Sequence, residues 1–155
     1  METLDLLIDG FKVALTLENF TLALIGCILG TIFGALPGLG PANGVAILIP
    51  LSFSLGLSAA ASMILLASVY YGAMYGGRIS SILLNIPGDE PAMMTCLDGY
   101  PMTKNGRAGE ALTLTGLASF FGAMFATVGL VLLAPQLVKV ALLFATSIET
   151  RASLF

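Results

Sequence analysis

Three long stretches without a charged residue constrain this chain more than any other feature of its sequence. They run from Phe20 to Leu36, from Ala59 to Gly77 and from Ala111 to Leu133. A helix of about 20 apolar residues, rising about 1.5 Å per residue, crosses a hydrocarbon core of about 30 Å. The mean hydropathy of +1.00 and the charged fraction of 10% are also typical of membrane proteins. We therefore predict an all-α polytopic membrane protein in which these three stretches span the bilayer.

The segments between these spans are shorter or more polar. Val45 to Leu57 is apolar but has only 13 residues and contains Pro50, so we expect a short, broken or re-entrant segment. Apolar residues between Leu4 and Leu17 recur at helical spacing, which predicts an amphipathic helix at the membrane surface. The stretch from Asp89 to Glu110 is the most polar of the chain and must reach water. The sequence thus predicts three to five membrane helices, including broken or re-entrant segments.

Two features mark expected helix ends. Tyr75, Gly76 and Gly77 are typical of the end of the second span, which would leave ISSILLNIPG as a separate apolar piece after Arg78. Pro135 is expected to end or kink the third span. That span also carries small residues on which another helix can pack closely: Gly116, Ala118, Ser119, Gly122, Ala123 and Ala126.

Composition argues against several classes of function. The chain has no histidine, which excludes a Ser/His/Asp triad and histidine-ligated zinc. Its net charge is −3 and its few basic residues are scattered, so there is no basic patch for nucleic acid. The acids outside the termini lie in the polar stretch, where solvated or helix-capping carboxylates are the ordinary case. We therefore predict no enzyme, no catalytic residue, no bound metal or cofactor, and no nucleic-acid partner.

Two proline-glycine breaks share one pattern. PGLGPA at Pro37 to Ala42 and PGDEPA at Pro87 to Ala92 both read P-G-x-x-P-A, and each follows an apolar run. Ordinary turn chemistry or coincidence explains such a short pattern as readily as an internal repeat does. In transporters built from repeats, paired interrupted helices mark the binding site. The sequence alone leaves both interpretations open.

The first break has the chemistry of an anion site. Gly38 and Gly40 can adopt left-handed backbone angles that end a helix, and Pro41 suits the first turn of the next one. Freed backbone groups within a membrane protein lie at a surface, inside protein or along a water-filled cavity. A helix that restarts near Pro41 would direct the N–H groups of Ala42, Asn43 and Gly44 at a carboxylate or phosphate. We therefore predict that this break binds an anionic substrate.

Further polar groups near the breaks complete the candidate site. Arg78 offers a planar fork for a carboxylate, although snorkelling from a helix end is its alternative role. Ser80 and Ser81 offer hydroxyls, although back-bonding to the helix is the commoner role of serine. The acids at 89 and 90 would repel an anion or help to hold a cation. The predicted substrate-binding residues are Gly38, Gly40, Pro41, Asn43, Gly44, Arg78, Ser80, Ser81, Asn85, Pro87 and Gly88.

Long portions of the sequence resemble one family. The segments GALPGLGPANGVAILIPLSFSL and YYGAMYGGRISSILLNIPGDEPAMMTCLDGYPMTKNGRAGEAL resemble the large membrane subunit of bacterial tripartite tricarboxylate transporters. The resemblance extends from about Gly26 to Phe144. It implies a secondary transporter of the cytoplasmic (inner) membrane that receives a carboxylate from a periplasmic binding protein. It also implies a small membrane subunit as partner and a proton or sodium gradient as the driving force. The family's loop character carries over to the residues of both breaks.

The end of the chain departs from this resemblance. After Phe144 the sequence reads ATSIETRASLF, whereas family members are expected to continue with a glycine-proline segment and further membrane helices. We therefore divide the single membrane domain of residues 1–155 into an amphipathic start (1–18), a family-like transmembrane region (19–144) and an atypical tail (145–155). The tail favours a truncation, a frameshift or a fragment over a natural terminus. The alternative function is accordingly a truncated, non-transporting membrane remnant or an assembly element.

Overall fold

Every secondary-structure element in the described part of the chain is an α-helix. The computed structural model describes the backbone of residues 2–152 and the side chains of residues 5, 7–134, 137 and 138. Contacts within the chain divide it into two units, Met1–Thr115 and Gly116–Phe155. The helices are α1 (Glu2–Ala14), α2 (Leu17–Ala35), α3 (Gly40–Ser54), α4 (Ala59–Leu84), α5 (Ala92–Lys104) and α6 (Ala108–Ala152). The predicted all-α fold class is confirmed.

Three helices are long and apolar enough to cross a membrane. They cover Leu17–Ala35, Ala59–Leu84 and Ala108–Ala134. Each contains most of one uncharged stretch of the sequence, so the three predicted spans are confirmed. The chain is a polytopic membrane protein.

A polar corner joins α1 to α2. The Thr16 hydroxyl oxygen accepts a hydrogen bond from the Asn19 backbone N–H at 3.4 Å, which caps the start of α2. The Asn19 side-chain amide in turn donates to the Val13 carbonyl oxygen at 2.7 Å, near the end of α1. The first bond pairs a backbone N–H that the start of α2 would otherwise leave without a partner. The position of α1 at a membrane surface stays a prediction.

Helices α2 and α4 pack with backbone against backbone. A Cβ at Gly30 of α2 would overlap the carbonyl group of Val69, and a Cβ at Gly34 would overlap that of Ala73. Both positions therefore require glycine for this approach. Because the contacts advance by four residues in the same direction along both helices, α2 and α4 run parallel.

Glycines of α4 likewise allow the backbone of α2 to pack closely against α4. A Cβ at Gly72 would overlap the Cys27 carbonyl oxygen, and one at Gly76 would overlap the Thr31 carbonyl oxygen. Helix α4 also supplies most of the buried apolar side chains among the described residues, which are those of Leu48, Ala61, Leu65, Val69, Ala73, Ile82, Ala92 and Ala111. The α2–α4 pair is therefore the centre of the first unit.

The predicted end of the second span at Gly77 is wrong. Helix α4 continues through Gly76, Gly77 and Arg78 to Leu84, so the piece ISSILL is its last part. The glycines here are contact surfaces, since Gly76 packs on α2 and Gly77 packs on the loop after α4. Arg78 consequently lies inside a helix and is half-buried, so the helix end from which snorkelling was considered is not there.

Helix α3 returns along the parallel pair. A Cβ at Gly44 would lie 3.5 Å from the Phe33 Cβ and 3.7 Å from the Val69 Cγ1, so α3 turns back from the end of α2. Its 15 residues extend about 22 Å, less than the hydrocarbon core. The expected shortness is confirmed. A break at Pro50 is not found, because the helix continues through this proline to Ser54.

The polar stretch after α4 contains a short helix that is fastened to α4. A Cβ at Gly99 of α5 would lie 2.7 Å from the Ile82 Cγ1. One turn further, the Thr103 hydroxyl donates to the Ile82 carbonyl oxygen at 2.7 Å. This bond uses one of the last carbonyls of α4, which have no helical partner. Helix α5 is thereby held against the end of the second span.

The second unit consists of the continuation of α6. Its helix runs past Pro135 to Ala152, so of the two expected effects of Pro135, an end or a kink, the helix end is not found. Neither a kink at Pro135 nor the packing role of the small residues between 116 and 126 is tested, and both stay predictions. Residues 153–155 of the predicted tail lie outside the described residues.

Candidate functional site

The two proline-glycine breaks come together in space. A Cβ at Gly40 in the first break would lie 3.6 Å from the carbonyl oxygen of Gly88 in the second. Gly88 also packs against Gly77 of α4 and Gly34 of α2. We call these four residues, Gly34, Gly40, Gly77 and Gly88, the glycine junction. It joins the end of α2, the start of α3, the body of α4 and the loop that precedes α5.

The loop between α4 and α5 folds back to reach this junction. Gly77 lies seven residues before Leu84, the last residue of α4, yet it contacts Gly88. A Cβ at Gly88 would lie 2.7 Å from the Gly34 carbonyl oxygen, so only glycine fits between the two helices. Gly88 is accordingly buried. The loop lies alongside α4 and does not extend away from it.

Left-handed backbone angles shape both breaks. Gly38 has a φ of 82° and Gly40 a φ of 64°, as expected for residues that end one helix and start the next. In the second break Asn85 takes this role, with a φ of 59°, as the residue that terminates α4. Asparagine tolerates the left-handed region better than other non-glycine residues. The predicted helix-breaking roles of Gly38 and Gly40 are thus seen directly.

The start of α3 presents uncapped backbone donors. No side chain caps this helix, whose second residue is Pro41. Since α3 begins at Gly40, the N–H groups of Gly40 and Ala42 have no helical acceptor, whereas from Asn43 onward the N–H groups bond within the helix. The sequence predicts the N–H groups of Ala42, Asn43 and Gly44 as donors. The available donors are instead those of Gly40 and Ala42, which lie closer to the glycine junction. The positive end of the helix dipole favours an anion at this position.

Two predicted residues of α3 differ in their surroundings. Asn43 is exposed, and its side-chain amide donates to the Leu39 carbonyl oxygen at 2.5 Å. Its amide oxygen remains directed away from that bond as an acceptor. Gly44 is buried against Phe33 and Val69, so it contributes to packing between α2, α3 and α4. A direct substrate contact by either residue stays a prediction.

The serines of α4 bond within their own helix. The hydroxyls of Ser80 and Ser81 both donate to the Gly77 carbonyl oxygen, at 3.0 Å and 2.7 Å, and both side chains are buried. This is the back-bonding role that was weighed against substrate binding. The structure does not bring either hydroxyl to the surface of the breaks. Arg78 is half-buried one residue after Gly77, and Pro87 is exposed one residue before Gly88.

An acidic side chain sits directly on the junction. The Asp89 Oδ1 accepts a hydrogen bond from the Ala92 N–H at 3.0 Å, at the start of α5. The same atom would lie 3.3 Å from a Cβ at Gly77. Asp89 thus pairs one N–H of the first turn of α5, although the N-cap residue of this helix is Pro91, whose side chain makes no cap bond. Its second oxygen, Oδ2, is inaccessible to solvent and has no hydrogen-bond partner among the described residues.

Sequence reasoning missed Gly34 and Gly77 as parts of the site. Gly34 ends the series Gly26, Gly30 and Gly34, whose spacing of four residues places all three on one helix face. This signal is present in the sequence, whereas the predicted packing face lies on the third span. The sequence pattern assigns Gly77 to a helix end. A pair of adjacent glycines is common both at helix ends and where two backbones pack closely, so the sequence does not distinguish the two.

A separate cavity lies beside α5. Its volume is about 300 Å³, and it is lined by Met94, Thr95, Asp98, Gly99, Met102, Ala111, Leu114 and Thr115. None of these residues belongs to a proline-glycine break. The breaks meet at the glycine junction and carry predicted substrate-binding residues, so we regard them, rather than this cavity, as the candidate functional site.

Known proteins from two organisms are similar in sequence to this chain. A relative in Agrobacterium vitis, named as an uncharacterized 52.8 kDa protein in the TAR-I ttuC' 3' region, is 44% identical over 144 residues. The match covers 93% of this chain and 28% of that protein. An uncharacterized protein of Methanocaldococcus jannaschii is 32% identical over 108 residues, which cover 69% of this chain and 26% of that protein. The chain therefore spans little more than a quarter of the length of these relatives.

The family comparison covers most of the chain. No solved structure gives a significant match. Residues 20–152 match the family described as the tripartite tricarboxylate transporter TctA family. This range includes both proline-glycine breaks, the glycine junction, the candidate spans Ala59–Leu84 and Ala108–Ala134, and most of the span Leu17–Ala35. The chain belongs to the tripartite tricarboxylate transporter TctA family.

Proposed function

We propose that this chain is the N-terminal part of a membrane permease that takes up tricarboxylates or related carboxylate anions. In this proposal an ion gradient drives uptake, a periplasmic binding protein delivers the substrate, and a small membrane subunit completes the transporter. The chain would reside in the bacterial inner membrane and act without catalysing a reaction. Membership of the family supports the membrane component, and the remaining steps are inferences from it.

The observation that carries the proposal is the contact between Gly40 and Gly88. Two breaks that lie 50 residues apart in sequence meet at one junction between two membrane helices. Irregular backbone at such a place is tolerated where it lines a cavity or is buried in protein. Transporters use paired interruptions of this kind to bind substrates and ions.

Electrostatics favour a carboxylate at the start of α3. The N–H groups of Gly40 and Ala42 lack helical acceptors, and the dipole of the 15-residue helix adds positive potential there. The exposed amide of Asn43 supplies a further polar group one residue later. The anion would therefore bind mainly to backbone donors, with the second break forming the opposite side of the site.

The test is equilibrium binding of citrate, as the probe carboxylate, to the purified chain in lipid nanodiscs. We expect saturable binding by the unsubstituted chain and weaker binding by Gly40→Ala. Alanine fits the available space but is strained at a φ of 64°, by about 1–2 kcal/mol, which displaces the start of α3. The measurement is isothermal titration calorimetry with citrate.

Gly56→Ala is the matched control. Gly56 has a φ of 65°, almost the same as Gly40, but it lies in the loop between α3 and α4 with nothing within 4 Å of its Cβ position. Its substitution introduces the same strain away from the breaks. Weaker citrate binding by Gly40→Ala alone supports the site. Equal binding by both variants would contradict it, and no citrate binding by any form would favour the non-transporting alternative.

A further inference from the structure

We propose that Asp89 binds a sodium ion beside the carboxylate site and thereby couples sodium to substrate. The inference rests on the proposed function and names the cation that acts at the same site. Its basis is the side chain of Asp89 and its surroundings in the glycine junction.

The two oxygens of the Asp89 side chain have different environments. Oδ1 accepts the hydrogen bond from the Ala92 N–H, whereas the solvent-inaccessible Oδ2 has no hydrogen-bond partner among the described residues. A buried carboxylate oxygen without a donor carries a free-energy cost that a bound cation removes. The Oδ2 atom therefore marks the position of the missing positive charge.

A backbone carbonyl lies against the residue that precedes Asp89. The Gly34 carbonyl oxygen, in the last turn of α2, packs against Gly88, the residue before Asp89. The carbonyls at a helix C-terminus form the negative end of the helix dipole. Helix C-termini and unwound carbonyls are the groups that coordinate sodium in transporters with broken helices. The junction thus combines one carboxylate with the oxygen ligands that a hard cation prefers.

The charge of the site matches a monovalent cation. Among the residues that the structure describes, no three His, Cys, Asp or Glu side chains come together as a divalent-metal cluster would require. One carboxylate balances one positive charge. The Ala92 N–H at the start of α5 donates to Oδ1, so we assign the cation to Oδ2, which has no donor among the described residues.

The position of Asp89 provides a mechanism of coupling. Without a cation, its negative charge adjoins the break that would receive an anionic substrate, through the contact between Gly88 and Gly40. Sodium at Oδ2 neutralises this charge and removes the repulsion. Each ligand then strengthens the binding of the other, as linkage requires.

The experiment measures citrate binding and thermal unfolding of the full chain in nanodiscs, in sodium chloride and in choline chloride at equal ionic strength. We expect sodium to tighten citrate binding about tenfold and to raise the unfolding midpoint of the unsubstituted chain. In Asp89→Asn both effects of sodium are expected to disappear. This variant keeps an oxygen that can accept from the Ala92 N–H and removes only the charge.

Glu90→Gln is the matched control, because Glu90 is the neighbouring carboxylate and is exposed. It should keep both sodium effects. If Asp89→Asn does not fold, Asp89→Ser serves in its place, since serine also caps helix N-termini. A sodium response that persists without the Asp89 charge would overturn the inference, as would an unsubstituted chain that shows neither effect.

The two proposals fail in different ways. A sodium-dependent rise in the unfolding midpoint that Asp89→Asn abolishes supports the cation site even if citrate does not bind, and only the proposed substrate is then wrong. Citrate binding that is equally tight in sodium and choline, together with an unfolding midpoint that sodium does not change, overturns the cation site and leaves the proposed function standing.

Discussion

Gly88 lies so close to Gly77 that a Cβ on Gly88 would come within 2.5 Å of the Gly77 Cα. Non-bonded carbon atoms pack at about 3.5–4.0 Å, so no other residue can take the place of Gly88 without a shift of the backbone. This contact fastens the loop after α4 onto the body of that helix. Through the Gly34 carbonyl it also reaches α2, which is why the two breaks lie side by side.

We expect Gly88→Ala to lower the free energy of unfolding by about 1–3 kcal/mol, because the added methyl group overpacks against backbone atoms. Thermal unfolding of the purified chain in detergent, followed by circular dichroism, measures this change. Gly109→Ala is the matched control, since Gly109 lies in α6 with nothing within 4 Å of its Cβ position. A Gly88→Ala chain as stable as the unsubstituted one would contradict the close contact.

A second prediction concerns the parallel pair of α2 and α4. Gly34→Ala should separate these helices, because its Cβ would overlap the Ala73 carbonyl, and we expect a loss of about 1–3 kcal/mol. Gly10→Ala makes the same substitution in α1, where the Cβ position is open, and should leave the pair intact. Cross-linking between cysteines introduced at exposed positions of α2 and α4 reports the separation. Unchanged cross-linking in Gly34→Ala would exclude the glycine interface.

Asn85 allows its backbone and side-chain roles to be separated. Asn85→Gly keeps access to the φ of 59° and should fold like the unsubstituted chain, whereas Asn85→Val should be less stable by about 1–2 kcal/mol. If the exposed amide also contacts the substrate, Asn85→Gly should weaken citrate binding by about tenfold. Thermal unfolding and calorimetry measure the two effects. Full citrate affinity in Asn85→Gly would limit Asn85 to ending α4.

The attachment of α5 to α4 gives a fourth prediction. Thr103→Val removes the hydrogen bond to the Ile82 carbonyl oxygen and should cost about 1 kcal/mol of stability, together with faster proteolysis of α5. Thr113→Val is the control, because the Thr113 hydroxyl donates only to the Gly109 carbonyl of its own helix and is exposed. Limited proteolysis in detergent compares the two variants. Equal protection of α5 in both would argue against this attachment.

Local chemistry made several parts of the site predictable. Gly38 and Gly40 were expected to adopt left-handed angles because they stand between an apolar run and Pro41, and both do so. The bond from the Ala92 N–H to the Asp89 carboxylate is also local, because it joins residues three apart at a helix start. Back-bonding by Ser80 and Ser81 is equally local, since the hydroxyl reaches a carbonyl of its own helix.

Features that depend on a distant neighbour were not predictable in this way. Gly76 and Gly77 resemble a helix end, yet α4 continues because α2 and the loop at Gly88 pack against them. Pro50 and Pro135 resemble helix breakers, yet α3 and α6 continue through them. A proline removes one hydrogen bond from a helix and does not by itself decide whether the helix ends.

The sequence by itself determined that this chain is an all-helical membrane protein with three spans and two irregular breaks. Long uncharged runs have no other stable structure in a bilayer, because each backbone polar group must be paired within its segment. The tertiary structure alone decided that Gly40 and Gly88 meet, that α2 and α4 run parallel, and that the Asp89 Oδ2 is enclosed. These relationships join residues far apart in the chain. They depend on which helix faces can approach most closely. A short stretch of sequence does not contain this information.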